Sequence, residues 1–89
     1  MKRDRLKVIF DILKIIKDHN NSIKPTPLLR YSNLSTKSFN EYMNELVERD
    51  FVKQVKDDRD KKAITLTDKG FHYLEKYKTI VSFIDDFGL

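Results

Sequence analysis

The stretch YSNLSTKSFNEYM, Tyr31 to Met43, sets short hydrogen-bonding side chains among apolar ones. At helical spacing, Thr36, Lys37, Asn40, Glu41 and Asn44 share one face, opposite Phe39, Tyr42, Met43 and Leu46. The polar face has the chemistry needed to read base edges. Asn pairs bidentately with adenine, Lys reaches guanine, Ser or Thr serves either, and Glu accepts from the cytosine amino group. Ser35 and Thr36 also offer hydroxyl or backbone N–H groups to a phosphate at a helix start. The plainer alternative is that Ser35 only caps the helix and the other residues form a solvated face. Glu41, Glu45 and Glu48 make the outer surface locally acidic. Glu45 and Glu48 are expected to lie beyond any groove the helix enters.

A second cluster is cationic. Lys53, Lys56, Arg59, Lys61 and Lys62 stand against Asp57, Asp58 and Asp60. Arg59 either enters a narrow A·T minor groove, which attracts Arg, or tips an ordinary charged loop. Lys61 and Lys62 suit phosphate contact. Arg30 is placed to meet the same backbone. Lys2, Arg3, Arg5 and Lys7 add to the positive field or serve solubility.

Other chemistry finds little support. The run DDRD lacks the Gly and the later Glu of a calcium loop. His19 and His72 have no partners at metal spacing, and cysteine is absent. Neither a Ser-His-Asp set nor a phosphate-cradling Gly loop is visible. The expectation is therefore no metal, no cofactor and no enzymatic activity.

The elements that must position these residues follow from periodicity. Arg3 to His19 reads as a helix with Leu6, Ile9, Phe10, Leu13 and Ile16 on one face. Val8, Ile12 and Ile15 form a second strip beside it. One strip suffices for a surface helix, so the second is either a contact with another subunit or packing within the chain. Ile23 and Lys24 suit a very short strand. Thr26 is expected to cap a short helix opened by Pro27 and running to Ser32, followed by a left-handed turn at Asn33. The next helix, capped by Ser35, runs to about Asp50 and buries Phe39, Tyr42, Met43, Leu46 and Val47. Phe51–Lys56 and Ala63–Thr67 read as a hairpin around DDRDKK. Thr67 caps a last helix over 67–87, in which Leu74, Tyr77, Val81 and Ile84 form a short coiled-coil-like seam. Gly70 is expected to allow close packing of that helix.

With 89 residues, the chain is expected to be one domain, 1–89, near the lower limit for a single core without staples. The apolar runs are too short for a membrane span, and the N-terminal residues lack a secretory signal pattern, so a cytoplasmic location is expected. A net charge of +4 suits a nucleic-acid partner without requiring one.

Four segments together resemble the small archaeal winged helix-turn-helix DNA-binding proteins, which share their plan with MarR-like regulators. These are RLKVIFDILKII, PLLRYSNLSTKSFNEYMNELVERDFV, the hairpin, and ITLTDKGFHYLEKY, whose LTDKG is similar to that family's L-T-x-K-G. The resemblance implies a mainly α fold with a small β-hairpin and an added C-terminal dimerisation helix. It implies a homodimer on double-stranded DNA, with the third helix in the major groove and the wing on backbone or minor groove. The residues this assigns to DNA are Arg30, Ser35, Thr36, Lys37, Asn40, Glu41, Asn44, Lys56, Arg59, Lys61 and Lys62. The dimer contact is expected at Val8, Ile12, Ile15, Leu74, Tyr77, Val81 and Ile84. Two rival readings are a protein-assembly module and a sequence-neutral chromatin protein. Neither an operator nor an effector ligand is legible.

Overall fold

A computed structural model describes residues 4–89, so the expectations for Lys2 and Arg3 lie outside the described residues. In chain order the elements are α1 (Arg5–Asp18), α2 (Pro25–Ser32), α3 (Thr36–Glu48), β1 (Val52–Lys56), β2 (Lys62–Leu66) and α4 (Asp68–Asp86). The strands pair antiparallel, Val52 opposite Leu66 through Lys56 opposite Lys62. Ile23 adds a one-residue bridge on the other edge of β2, exchanging both backbone bonds with Ile64 at 3.2 and 2.8 Å. The expected short strand is thus a single rung.

Three of the expected caps and turns form as the spacing predicts. Ser35 accepts from the Ser38 amide at 3.2 Å, and Thr67 from the Gly70 amide at 3.1 Å. Asn33 adopts φ 59° after α2. Asn20, Asn21, Asp50 and Asp60 also sit at positive φ, doing in short loops what glycine usually does. Asn21 also ties the α1 exit to the sheet, because its Oδ1 accepts from the Leu66 amide at 2.7 Å. One cap is corrected. Helix α2 begins at Pro25 with Lys24 before it and no side-chain cap, so Thr26 lies inside the helix. Pro25 carries no N–H, which leaves less for a cap to satisfy.

Helix α1 passes through the middle of the core. It packs against α2, α4 and β2, which is why it needs two apolar strips. Val8 and Ile12, expected as a free strip for another subunit, are buried within the chain at 5% and 1% exposure. Ile15 is half-buried against the same core. Leu6, expected inside, is exposed, although its carbonyl meets α4. Val47 on α3 is exposed as well.

The LTDKG segment locks the junction between α3 and β1. The Thr67 hydroxyl donates to the Asp50 carbonyl at 2.6 Å, and the Thr67 amide to the Phe51 carbonyl at 3.1 Å. Lys69 Nζ donates to the Arg49 carbonyl at 2.7 Å. A Cβ on Gly70 would stand 2.3 Å from the Phe51 oxygen, so only glycine permits this approach. The first half of α4 then lies on α1. Phe10 and Tyr77 stack at 4.5 Å, and the Tyr73 hydroxyl donates to the Leu6 carbonyl at 2.7 Å. Burial pushes the Tyr73 phenol up to about 12. Leu74, expected in the dimer seam, is buried in this contact at 4% exposure. Past Tyr77 every residue of α4 is exposed, and the molecule measures 48 × 27 × 22 Å.

Candidate nucleic-acid interface

Helices α2 and α3 are joined by a turn held by Ser32. Its buried hydroxyl donates to the Leu29 carbonyl at 2.7 Å and accepts from the Leu34 amide at 3.3 Å. A serine at the end of an apolar helix gives no signal of this in the sequence. The turn fixes where α3 starts, and Phe39 and Leu46 anchor its inner face in the core. That leaves Thr36, Lys37, Asn40, Glu41 and Asn44 exposed together on the outer face, as spacing predicts. Asn40, Asn44 and Lys37 have no hydrogen-bond or ionic partner among the described residues. Ser35 is exposed and its oxygen serves as the cap. Arg30 is exposed on α2, its guanidinium 5.3 Å from the Tyr31 ring centre, and Tyr31 in turn meets His19 at 5.1 Å.

The acidic edge of α3 is not uniform. Glu45 forms ion pairs with Arg5 at the start of α1 and, at 3.0 Å, with Arg49. Glu41 and Glu48 are exposed and unpaired among the described residues. From the sequence Arg5 reads only as surface charge, because nothing there tells which helix it meets.

The hairpin tip is built around Asp57. Its carboxylate accepts from the Arg59 and Lys61 amides, each at 2.9 Å, and its own amide donates to the Lys61 carbonyl at 2.8 Å. The amide bond from Lys61 holds the Asp57 carboxyl below its ordinary range, with the Arg59 amide and the charges of Lys24 and Arg59 adding to the effect. Lys24 therefore joins this cluster from the start of α2, a neighbour the linear sequence does not reveal. Lys56 sits directly opposite Lys62 across the ladder. Like charges so placed repel, and Asp60, 3.4 Å from Lys56, relieves only part of this. Arg59, Lys61 and Lys62 are exposed and make no side-chain ion pair among the described residues. The result is a tip held by Asp57 and left with a small excess of exposed cations.

Among the described residues, no group of His, Cys, Asp or Glu is arranged to hold a metal ion, and no helix is long and apolar enough to cross a membrane.

Three helices, a serine-fastened turn between the second and third, and a hairpin after the third define a helix-turn-helix with a wing. The chain belongs to the winged helix-turn-helix family, whose model matches residues 2–84. It is 33% identical over 84 residues to the uncharacterized protein MJ0290 of Methanocaldococcus jannaschii, a match covering 94% of this chain and 36% of that protein. The chain thus spans about a third of that relative's length. Among solved structures it resembles Sso10a-2, a DNA-binding protein from Sulfolobus solfataricus, with a TM-score of 0.75 and 16% identity over 96% of this chain and 85% of that one. F93 from STIV, a winged-helix DNA-binding protein, gives 0.73 and 17% identity over 90% and 91%. A MepR like protein complexed with pseudoligands gives 0.68 and 24% identity over 89% and 60%. At these identities the likeness to solved structures is one of fold.

Proposed function

We propose that this chain is a sequence-preferring regulator of transcription that binds double-stranded DNA as a homodimer in the cytoplasm. The observation that carries the reading is the wing tip. Lys56 and Lys62 face each other beside exposed Arg59 and Lys61, an arrangement whose repulsion a phosphate would relieve. In this reading α3 enters the major groove. Asn40, Asn44 and Lys37 read base edges there, and the amides of Thr36 and Lys37 at the helix start meet phosphate. Two of the structures the chain resembles are those of DNA-binding proteins, which agrees with this assignment.

The homodimer rests on α4. Ile80, Val81, Phe83, Ile84 and Phe87 are exposed on its outer half, an apolar surface with none of the described residues packed over it. Of the seam expected from spacing, Val81 and Ile84 remain available for such a contact, whereas Val8, Ile12 and Leu74 are spent inside the chain. Lys76 and Lys78 precede this surface, and Asp85 and Asp86 lie towards its other end, before Phe87. Two copies running antiparallel would therefore set opposite charges against each other.

The test is a titration of duplex DNA at several salt concentrations. Affinity is expected to fall with a log–log slope of about −0.9 per phosphate neutralised. Changing both Lys61→Ala and Lys62→Ala should weaken binding to every sequence and flatten that slope. Asn40→Ala should leave the slope and relax base preference. Duplex binding at low salt that neither change alters overturns the reading. The exposed outer half of α4 also favours a protein-assembly module, and a failure to retard random duplex at micromolar protein would favour that reading instead. Dense binding without base preference would point to a sequence-neutral chromatin protein.

A further inference from the structure

Among the described residues, Glu45 is the one carboxylate of the α3 edge with its charge engaged, and two arginines from different parts of the chain converge on its Oε2. Arg5 arrives from the first turn of α1, and Arg49 from the residue just after α3. Exposed pairs of this kind add little to stability. Their effect on the surface field is larger. Glu41, Glu45 and Glu48 line one edge of a helix whose remaining outer residues are neutral or basic. Left alone, that edge would repel any phosphate passing beside it. With both guanidiniums on Glu45, that carboxylate is neutralised at the middle of the edge without placing a cation on the reading face.

We propose that Arg5 and Arg49 are positioning residues for DNA binding: they hold the Glu45 carboxylate against the start of α1 and cancel its charge, so that α3 enters the groove without repulsion from Glu45. The proposal rests on the DNA-binding reading above. Neither arginine touches DNA in it, and this separates it from an ordinary phosphate contact.

The experiment compares the full chain with the Arg5→Ala/Arg49→Ala variant and with the same pair of changes plus Glu45→Gln, each titrated with random duplex over a series of salt concentrations. Removing both arginines should weaken binding about three- to fivefold, the scale of an exposed charge interaction. Adding Glu45→Gln should restore affinity to the parent's, with the salt slope the same in all three. Loss without rescue by Glu45→Gln overturns the proposal, because arginines that only tie α1 to α3 cannot be replaced by removing their partner. A slope reduced by about 0.9 per arginine also overturns it, since that is the signature of direct phosphate contact. If the parent chain binds no duplex, the DNA-binding reading falls and this assignment with it. If the parent binds and rescue fails, only the role of the arginines falls.

Discussion

Asp57 shows how one side chain sets the shape of the hairpin loop. Its carboxylate accepts two amides, and the bond from Lys61 is the main reason its carboxyl titrates below the ordinary value of 3.8. A carboxyl depressed by folding stabilises the folded form at pH above its unfolded value. That contribution is lost as pH falls through the lower folded value. The wing tip is therefore expected to stay ordered at neutral pH and to loosen only in strong acid. An NMR titration of the Lys61 amide shift should report this transition, and Asp57→Ala should abolish it while loosening the tip at all pH values. The sequence displays DDRD as a charged turn but does not show which aspartate organises it. The three acids are alike in type, and only the position of Lys61 across the loop singles out Asp57.

At the scale of elements, the approach of α4 to the α3–β1 junction is close enough to demand glycine. Thr67, Lys69 and Gly70 all act on the backbone carbonyls of Arg49, Asp50 and Phe51. Gly70→Ala would drive a methyl group onto the Phe51 oxygen, which is backbone and cannot swing aside. It should destabilise the chain by about 1–3 kcal/mol, the usual cost of overpacking, measured by denaturant unfolding. The helix-turn-helix itself is legible because Asn33 and Ser35 are a turn and a cap that act within a few residues. The start of α2 differs from expectation because Pro25 opens the helix two residues before Pro27, and its missing N–H leaves less for a side-chain cap to satisfy. The second strip on α1 turns inward for a different reason. Periodicity reports how many faces of a helix are apolar, and it is silent on whether the second face meets this chain or another.

For the whole molecule, the outer half of α4 is the feature without a partner among the described residues. Phe83 and Phe87 touch each other at 4.8 Å and are 56% and 68% exposed. If α4 carries the proposed dimer contact, changing both Phe83→Ser and Phe87→Ser should leave only monomer in light scattering. It should alter monomer stability by no more than about 0.5 kcal/mol, since neither ring packs on the core. A mass unchanged by these substitutions would remove α4 from the dimer contact. If the dimer is what places two wings and two reading helices on one duplex, the same variant should also bind DNA more weakly, without any change on the DNA-facing surface.

The sequence by itself determined the order of elements, the caps of α3 and α4 and the polar face of α3. These depend on spacing along one helix, on residue type and on bonds reaching a few positions. Tertiary structure alone decided that α1 spends both apolar strips inside the chain, that Arg5 belongs to Glu45, that Lys24 joins the wing, and that α4 is half core and half free surface. Each of those depends on which distant segment lies alongside, and a side chain's type does not state what the fold brings next to it.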